Sequence, residues 1–498
     1  MLHSSSPLAR CALAGALAAT LAGCAVGPDY VRPAPPTGAT LPAFKEQGPW
    51  QAAAPATIDA DGAWWKLYGD PQLDALVEQA NSANQTVRQA EAQYRAAQAL
   101  VQGAQSSLFP TVGVSASENR ARTNTASSVL QNTHANSLAA SWEPDLWGRV
   151  RRSVEQAGDT AQASAADLAG ARLTIQATLV NSYFQLRVYD QQKELYARTI
   201  EGYRKALQLT QSQYRAGIVT RADVASANTA LTAAEALAID VNLSRQQLEH
   251  AIAVLQGKTP TEFSLPPAPI VAQLPVVPVG LPSELLQRRP DIAGAERRMA
   301  AANAAIGVAQ AAWYPNLTLG ASAGFSGAGL APLFSTPDRV WALGATLAAT
   351  LFDGGLRQSQ NDQARANFDA AAASYRQTVL AGFQEVEDNL AALRELEKER
   401  AKQEEAVQSS RDAERMLLAQ YRAGTTPYTT VITAQATTLS NERTAMQLAA
   451  RQFTASVTLV RAVGGGWNAA QLPAPNARPA QAKDAPANAT ALTATAQE

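Results

Sequence analysis

The chain has 498 residues, of which 41 are basic and 42 acidic, so its formal net charge at pH 7 is −1. This balance argues against a nucleic-acid or acidic-lipid partner, since both select a basic excess. The two cysteines, Cys11 and Cys24, cannot form a disulfide framework, and His3, His134 and His250 match no zinc-ligand spacing, so we expect solvated histidines, no metal ion and no cofactor.

Residues 1–23 have the features of a lipoprotein signal peptide. Arg10 precedes an apolar stretch over residues 11–21, which is too short to span a bilayer as a helix. The stretch ends in Leu21-Ala22-Gly23-Cys24, which resembles a bacterial lipobox whose cysteine thiol accepts a diacylglycerol. The alternative is an ordinary signal peptide that happens to contain a cysteine. We predict lipidation at Cys24 and a lipid-anchored extended segment over residues 24–72. Ala25 follows the cysteine in place of Asp, which favours delivery to the outer membrane.

The rest of the chain is predicted to contain two copies of one unit. Gln213-Tyr214-Arg215-Ala216-Gly217 recurs as Gln420-Tyr421-Arg422-Ala423-Gly424, an offset of 207 (420 minus 213). We assign repeat 1 to residues 73–257 and repeat 2 to residues 282–464, each far longer than a solenoid repeat. A proline-rich extended linker joins them over residues 258–281. Residues 465–498 lack enough apolar mass to order themselves, so we expect a disordered tail.

Each repeat is predicted to begin with a helix and continue with two strands. The first helix covers about residues 84–107, and Arg289 and Asp291, which flank Pro290, are expected to organise the start of its counterpart. Period-two alternation predicts strands at about 111–120, 135–145, 315–326 and 339–352.

The distribution of charge indicates where these strands lie. Residues 299–337 and 340–352 contain no Asp, Glu, Lys or Arg, which favours tilted membrane strands over a half-buried sheet in a soluble protein. Four strands cannot close a barrel, and open edges are not tolerated in lipid, so the chain must assemble with copies of itself. These considerations leave both a dimer and a trimer open.

Long helices are predicted to follow the strands. Residues from about 149 to 214 contain no proline and keep a heptad seam, and those from about 355 to 421 carry Glu/Lys/Arg pairs at helical spacing. At 1.5 Å per residue, about 66 residues extend roughly 100 Å, so each helix must project from the membrane strands. Gly217 and Gly424 follow these helices, and a C′ glycine adopts the left-handed conformation without steric cost. A shorter helix should return from each turn.

Five motifs within residues 24–467 point to a family. They are Gly27-Pro28-Asp29-Tyr30, Trp64-Trp65-Lys66-Leu67-Tyr68-Gly69-Asp70-Pro71, Asp145-Leu146-Trp147-Gly148-Arg149, Arg289-Pro290-Asp291-Ile292 and Leu351-Phe352-Asp353-Gly354-Gly355. Together they resemble the TolC-like outer-membrane efflux factors, in their lipoprotein (OprM/NodT) branch. The resemblance implies a mainly α protein with a membrane β-barrel portion, namely a homotrimer with a 12-stranded barrel in outer-membrane lipid and a 12-helix periplasmic tunnel. It also implies docking to a periplasmic adaptor (a membrane fusion protein) and an inner-membrane pump of the RND type.

In this family the two helical turns form the periplasmic tip of the tunnel and meet the adaptor. The residues that the resemblance implies there are Tyr214, Gly217, Tyr421 and Gly424, for which a role as helix caps alone is the alternative. Asp223 lies where family members often carry an acid that closes the entrance, although it could equally be an inert helix carboxylate. Repeat 2 departs from this pattern, because Thr430 and Thr433 stand where acids are common.

Three classes of function are compatible with these features. The leading one is the passive exit duct of a tripartite efflux system, which exports small molecules such as drugs. The outer-membrane component of a type I protein-secretion system shares the architecture, and a coiled-coil surface protein without a pore is the third class. An enzyme is not expected, because the sequence offers no nucleophile–base set and no metal cluster.

Overall fold

The computed structural model describes residues 25–33, 44–46, 62–122, 130–275, 277, 285–328 and 338–474. The helices and strands are, in chain order, α1 (Pro71–Ala83), α2 (Gln85–Ser106), β1 (Thr111–Arg122), β2 (Leu130–Trp142), α3 (Arg149–Arg215), α4 (Arg221–Leu255), α5 (Leu285–Arg288), α6 (Pro290–Ala311), β3 (Asn316–Gly327), β4 (Arg339–Ala348), α7 (Leu356–Arg422) and α8 (Tyr428–Ala462). None of the described helices is both long enough and apolar enough to cross a membrane.

The two repeats fold in the same way. α2 and α6 each have 22 residues, α3 and α7 each have 67, and α4 and α8 each have 35. β1 and β3 both have 12 residues. The duplication predicted from the sequence is therefore confirmed. Since an α-helix rises 1.5 Å per residue, α3 and α7 each extend about 100 Å.

The heptad seam predicted for α3 is buried along the middle of the helix. Leu179, Leu186, Tyr196 and Tyr203 are all buried, where α3 contacts the neighbouring helices α2, α4, α6 and α8. Tyr214, the last residue of this heptad seam, is exposed. The long helix is thus held by packing against several helices rather than by one partner.

The start of α6 confirms the predicted role of its first residues. Pro290 occupies the first helical position, where its missing N–H costs nothing. The Arg289 guanidinium donates to both carboxylate oxygens of Asp291, at 3.0 and 2.7 Å. It also donates to Glu385 Oε2 on α7 and to the carbonyl oxygen of Ala462 at the end of α8, both at 2.9 Å. Arg289 therefore joins three helices in addition to organising one helix start.

The four strands form one antiparallel sheet in the order β1-β2-β3-β4. β1 and β3 lie within two residues of their predicted bounds, but two other predictions were wrong. β2 was expected over 135–145 and runs from Leu130 to Trp142. It ends before Pro144, which cannot donate a ladder hydrogen bond. β4 was expected to reach residue 352 and ends at Ala348, because its partner β3 begins directly after Pro315, which has no N–H to extend the pairing.

Side chains alternate between two chemically different faces of the sheet. One face, called the apolar face below, carries Val112, Val114, Leu138, Ala140, Trp142, Leu317, Leu319, Ala321, Ala323, Trp341, Leu343 and Leu347. The opposite face carries small and hydroxyl side chains, and Ser115 Oγ and Ser137 Oγ share a hydrogen bond of 2.9 Å across β1 and β2. The alternation predicted from the sequence is present in all four strands.

An aromatic core joins both repeats at the middle of the helices. The ring centroids of Tyr68 and Phe184 are 5.0 Å apart, and those of Phe184 and Phe453 are 4.4 Å apart and stacked. Trp64 is fully buried, and its Nε1 donates to Gln176 Oε1 at 2.9 Å. The segment before α1 therefore packs between α3 and α8, where aromatic burial stabilises the junction of the two repeats.

The linker between the repeats is anchored by buried charges. Arg187 Nη1 donates to the carbonyl oxygen of Pro266 at 2.9 Å, and Arg245 Nη2 donates to that of Leu265. Both guanidiniums also pair with Asp190, at 2.8 and 2.7 Å. Because both guanidiniums bind backbone carbonyls as well as this carboxylate, the network holds the extended linker against α3 and α4.

The residues directly after α8 are ordered, contrary to the predicted tail from residue 465. Three consecutive glycines, residues 464–466, have φ values of 94°, 58° and 87°, which turn the chain back towards α3. Gln162 Nε2 on α3 then donates to the carbonyl oxygen of Pro473 at 2.8 Å. The prediction of disorder was therefore wrong for residues 465–474, and residues 475–498 lie outside the described part of the chain.

Candidate functional site: the helical tip

The two tip turns, residues 216–220 and 423–427, share one backbone motif. Ile218 N donates to the carbonyl oxygen of Gln213 at 2.9 Å and Gly217 N to that of Tyr214 at 3.0 Å, the hydrogen-bond pair of a Schellman cap. The equivalent pair closes α7. Gly217 has φ 73° and Gly424 has φ 77°, so the predicted left-handed glycines are confirmed.

The two tip tyrosines differ in their surroundings. Tyr421 is buried, its ring centroid lies 5.0 Å from that of Tyr428, and its hydroxyl donates to Gln213 Oε1 of repeat 1. Ala227 of α4 is buried in the same cluster. Tyr214 is 47% exposed. Tyr421 thus joins the two helical hairpins of one protomer, whereas Tyr214 leaves a ring open on the tip surface.

Burial also changes the acid–base properties of this cluster. Burial, with a smaller contribution from the nearby hydroxyls of Tyr421 and Tyr203, raises the pKa of the Tyr428 hydroxyl to about 12. Tyr203 likewise has a pKa raised to about 12 by burial. These phenols stay neutral at physiological pH, so the contact between the hairpins depends on packing and hydrogen bonding rather than on charge.

Asp223 is engaged in the first turn of α4. Its Oδ2 accepts from Thr220 N at 2.9 Å and from Thr220 Oγ1 at 2.7 Å, while Asp223 N donates back to Thr220 Oγ1. This reciprocal arrangement is a capping box. In repeat 2 the third helical position is Thr430, and α8 starts after Pro427 without a side-chain cap. The acid of repeat 1 is therefore bound to its own helix start, and repeat 2 has no equivalent.

Sequence reasoning missed two of these contacts. The capping box could have been found, because Thr220 and Asp223 have the characteristic spacing of an N-cap residue and an acid three positions later. The hydrogen bond between Tyr421 and Gln213 had no such signal, since the two residues are far apart in the chain and only the packing of the hairpins brings them together. Thr433, the other repeat 2 threonine, donates to the carbonyl oxygen of Thr429 on its own helix.

The N-terminal segment, residues 25–33, lies against the opposite end of the helices, next to the sheet. Val26 N donates to the carbonyl oxygen of Trp147 at 3.0 Å. The buried Arg152 guanidinium donates to Asp29 Oδ1 at 2.7 Å, and Asn303 Nδ2 donates to the carbonyl oxygen of Pro28 at 2.8 Å. Arg152 belongs to repeat 1 and Asn303 to repeat 2, so the segment is bound by both repeats.

Two close backbone approaches fix the position of this segment. A Cβ atom on Gly27 would lie 2.4 Å from Gly307 Cα, so only glycine fits. A Cβ atom on Gly148 would lie 2.8 Å from Ala25 Cα. The segment therefore runs directly over the junction of sheet and helices up to its first described residue. Cys24 itself lies outside the described residues.

An acidic cluster lies beneath the N-terminal segment. Burial raises the pKa of Asp159 to about 6; Arg297 opposes this shift, and Glu155 and Glu296 reinforce it. Arg297 Nη1 lies 3.2 Å from Asp159 Oδ1, and Tyr30 of the segment donates to Glu296 Oε1 at 2.6 Å. The segment is thus connected, through Glu296 and Arg297, to Asp159, the carboxyl group whose pKa is raised.

The two histidines in the described part of the chain lie apart from each other. His134 is on β2, opposite Glu118 on β1, and His250 is on α4. Among the residues that the structure describes, no group of three or more His, Cys, Asp or Glu side chains could hold a metal ion.

Comparison with known proteins identifies the architecture. The outer-membrane channel OprN superposes with a TM-score of 0.81 and 31% sequence identity, over 89% of this chain and 100% of that chain. A long duplicated helical stalk that ends in two capped turns and is joined to an amphipathic antiparallel sheet is therefore the fold of a TolC-like outer-membrane channel.

Sequence comparison then assigns the family. Residues 76–258 and 281–465 match the outer membrane efflux protein family, and the chain belongs to it. The probable efflux pump outer membrane protein TtgC of Pseudomonas putida is 31% identical over 454 residues, which cover 90% of this chain and 93% of that protein. The pyoverdine export outer membrane protein OpmQ of the same species is 31% identical over 448 residues, with 88% and 94% covered.

Proposed function

We propose that three copies of this chain form the exit duct of a tripartite efflux system in the outer membrane. The observation that carries the proposal is the four-stranded sheet, in which β1 and β4 are both edge strands. An edge in lipid leaves backbone N–H and C=O groups unsatisfied, so the edges must pair with other copies. Three copies give twelve strands, enough to enclose a channel, whereas eight strands would leave an interior filled by side chains.

The two faces of the sheet suit this assembly. The apolar face would contact lipid, and the face with Ser115 and Ser137 would line the lumen. The helices α3 and α7, about 100 Å long, would then extend into the periplasm as a tunnel of twelve helices, four from each copy. The duct performs no chemistry, and the energy for transport comes from the pump.

The helical tips are proposed as the docking surface for a periplasmic adaptor, which connects the duct to an inner-membrane pump of the RND type. The exposed Tyr214 and the two left-handed glycines, Gly217 and Gly424, present backbone and ring surfaces at the far end of the molecule. Asp223 contributes to the entrance mainly by holding the first turn of α4 through Thr220.

Lipidation of Cys24 is proposed to anchor the mature N terminus. Ala25 lies against Gly148, at the junction of sheet and helices, so an acyl chain on the preceding residue would start at the periplasmic surface of the membrane. The contacts of residues 25–33 with both repeats support a fixed rather than a freely moving anchor.

The transported molecule is proposed to be small, and its class to be selected mainly by the pump. TtgC is named for an efflux pump and OpmQ for pyoverdine export, yet this chain is 31% identical to both. Overall similarity therefore does not distinguish between substrates of different chemistry, and the duct itself supplies a general exit.

Crosslinking at the sheet edges tests the proposed assembly. A variant with Ser115→Cys on β1 and Ala342→Cys on β4 should give covalent dimers and trimers with a short bismaleimide, because closure brings β4 of one copy beside β1 of the next. The two single variants should assemble but give no covalent trimers. In the control variant Ser115→Cys/Ser137→Cys the two cysteines are neighbours within one protomer, so crosslinking should join them without linking one protomer to another.

Function is tested on the same preparations. The wild-type protein should conduct ions as single channels in a planar bilayer, and it should restore dye efflux to cells lacking their own duct. The absence of both trimers and conductance would refute the proposal and favour a coiled-coil surface protein. Export of a polypeptide without dye efflux would favour type I secretion.

A further inference from the structure

The apolar face of the sheet ends in arginines on both of its edge strands, β1 and β4. Following β1 away from the helices, Val112, Val114 and Ala116 are succeeded on the same face by Glu118, Arg120 and Arg122, since successive even-numbered residues share one side. On β4 the same face begins with Arg339, which pairs in register with Phe325 of β3. Arg120 and Arg122 are about 7 Å apart along the strand.

These three guanidiniums have no partner within the described structure. Arg120, Arg122 and Arg339 are exposed, and none of the described residues forms a hydrogen bond or an ion pair with them. The acidic residue on the same face is Glu118, which lies opposite His134 on β2, and Asp338 directly precedes Arg339. The arginines are thus available to an external anion.

The opposite end of the sheet shows a different arrangement. Arg149 Nη2 lies 2.8 Å from Glu143 Oε1, Arg151 Nε lies 3.2 Å from Asp145 Oδ2, and Arg357 Nε lies 2.5 Å from Asp353 Oδ2. Each arginine at the helix end is therefore neutralised by a carboxylate of this chain. The contrast indicates that the far end of the sheet is built to meet a negative charge that the described part of the chain does not supply.

The sheet order brings the arginines together on assembly. β1 and β4 are the two edges of the sheet, so closure with other copies sets β4 of one protomer beside β1 of the next. In the proposed trimer, Arg339 would lie at the same end of the β4–β1 boundary (the seam between two protomers) as the partner's Arg120 and Arg122. Each seam would then form one cationic site, which is incomplete in a single protomer.

We propose that each seam binds the phosphate groups of the glycolipid that forms the outer leaflet of the outer membrane. The inference rests on the proposed trimer, in which the helices mark the periplasmic side and the arginine end of the sheet faces the cell exterior. Guanidiniums bind phosphate through paired N–H donors, and the adjoining apolar face would receive the acyl chains. The lipid would therefore contact two protomers and stabilise their seam.

Native mass spectrometry of the purified trimer tests this proposal, with bisphosphoryl lipid A, monophosphoryl lipid A and phosphatidylglycerol as probes. The wild type should retain bisphosphoryl lipid A most strongly and bind about three molecules per trimer, one at each seam. The variant Arg120→Gln/Arg122→Gln/Arg339→Gln should lose about fivefold in affinity for each guanidinium removed. Its channel conductance should be unchanged, because the arginines lie on the face turned away from the lumen.

The control variant Arg88→Gln/Arg95→Gln/Arg365→Gln removes three exposed arginines from helices and should bind lipid A like the wild type. Equal lipid A binding by the seam variant, or an equal loss in the control, would overturn the proposal. The same holds if the wild type retains phosphatidylglycerol as strongly as lipid A. If the seam variant does not assemble, the wild type alone tests the proposal: preferential retention of bisphosphoryl lipid A supports it, and the absence of that preference overturns it. A wild type that forms neither trimers nor channels would instead refute the proposed function.

Discussion

Replacing the tip glycines by valine should weaken adaptor docking through a local backbone change. Gly217 and Gly424 have φ values of 73° and 77°, and a Cβ atom at either position would meet nothing within 4 Å. The cost of a side chain is therefore backbone strain alone, about 1–2 kcal/mol for each turn. A turn that avoids the strain by changing φ loses the two Schellman hydrogen bonds, which contribute about 1–3 kcal/mol together. Either route leaves the 67-residue helices intact and distorts only their ends.

The assay for this change combines crosslinking to the adaptor with dye efflux in cells. The double variant Gly217→Val/Gly424→Val should form normal trimers but show reduced crosslinking and reduced efflux, and each single variant should be less affected. Gly217→Asn is a matched comparison, because asparagine tolerates left-handed backbone, and it should be milder than valine. Gly202→Ala, at a helical glycine with open space around it, should be harmless. Normal docking in the double valine variant, or equal defects for asparagine and valine, would refute this reasoning.

Three further changes should have separate and measurable effects. Cys24→Ser should abolish incorporation of a radioactive fatty acid, because serine cannot form the thioether. Tyr421→Phe removes the hydroxyl that donates to Gln213 and should loosen the tip by about 0.5–1.5 kcal/mol, seen as faster hydrogen exchange at the ends of α3 and α7. Because the pKa of Asp159 is raised from 3.8 to about 6, the folded protein keeps a proton in this pH range that the unfolded chain releases. The stability of the wild type should therefore fall relative to that of Asp159→Asn as the pH rises from 3.8 to about 6, which thermal midpoints would measure.

Each of these predictions has a clear contrary result. Equal fatty-acid label in the Cys24 variant would contradict the lipobox. Tyr214→Phe is the control for Tyr421, since the exposed ring has no equivalent contact, and equal exchange in the two variants would contradict the hairpin contact. A difference in thermal midpoint between wild type and Asp159→Asn that does not change with pH would contradict the raised pKa.

Local sequence patterns predicted most of the fold. The offset of 207 between Gly217 and Gly424 predicted two repeats of equal plan, and the left-handed glycines followed from the chemistry of helix ends. The alternation of apolar and polar residues predicted the strands, because successive side chains of a strand point to opposite faces of the sheet. The end of β4 was misjudged because it depends on Pro315, which precedes its partner strand β3 in another part of the chain. The end of β2 was misjudged although Pro144 lies only two residues beyond it.

Contacts between distant segments could not be predicted in this way. The approach of Gly27 to Gly307 and the donation from Gln162 to Pro473 join segments that are far apart in the chain. A glycine or a glutamine alone gives no local signal of such a partner. The same holds for Tyr421, whose motif is identical to that of Tyr214 although only one of the two rings is buried.

The equal lengths of α3 and α7 restrict how this chain can change during evolution. Inserting one residue in α3 alone would raise its turn by about 1.5 Å and rotate it by about 100° relative to the turn of α7. A rim assembled from both kinds of turn would no longer be level, and any ring of partner subunits would meet alternating high and low contacts. A viable length change must therefore occur in both repeats together, and in steps of about seven residues, because two helical turns restore the original facing of each side chain.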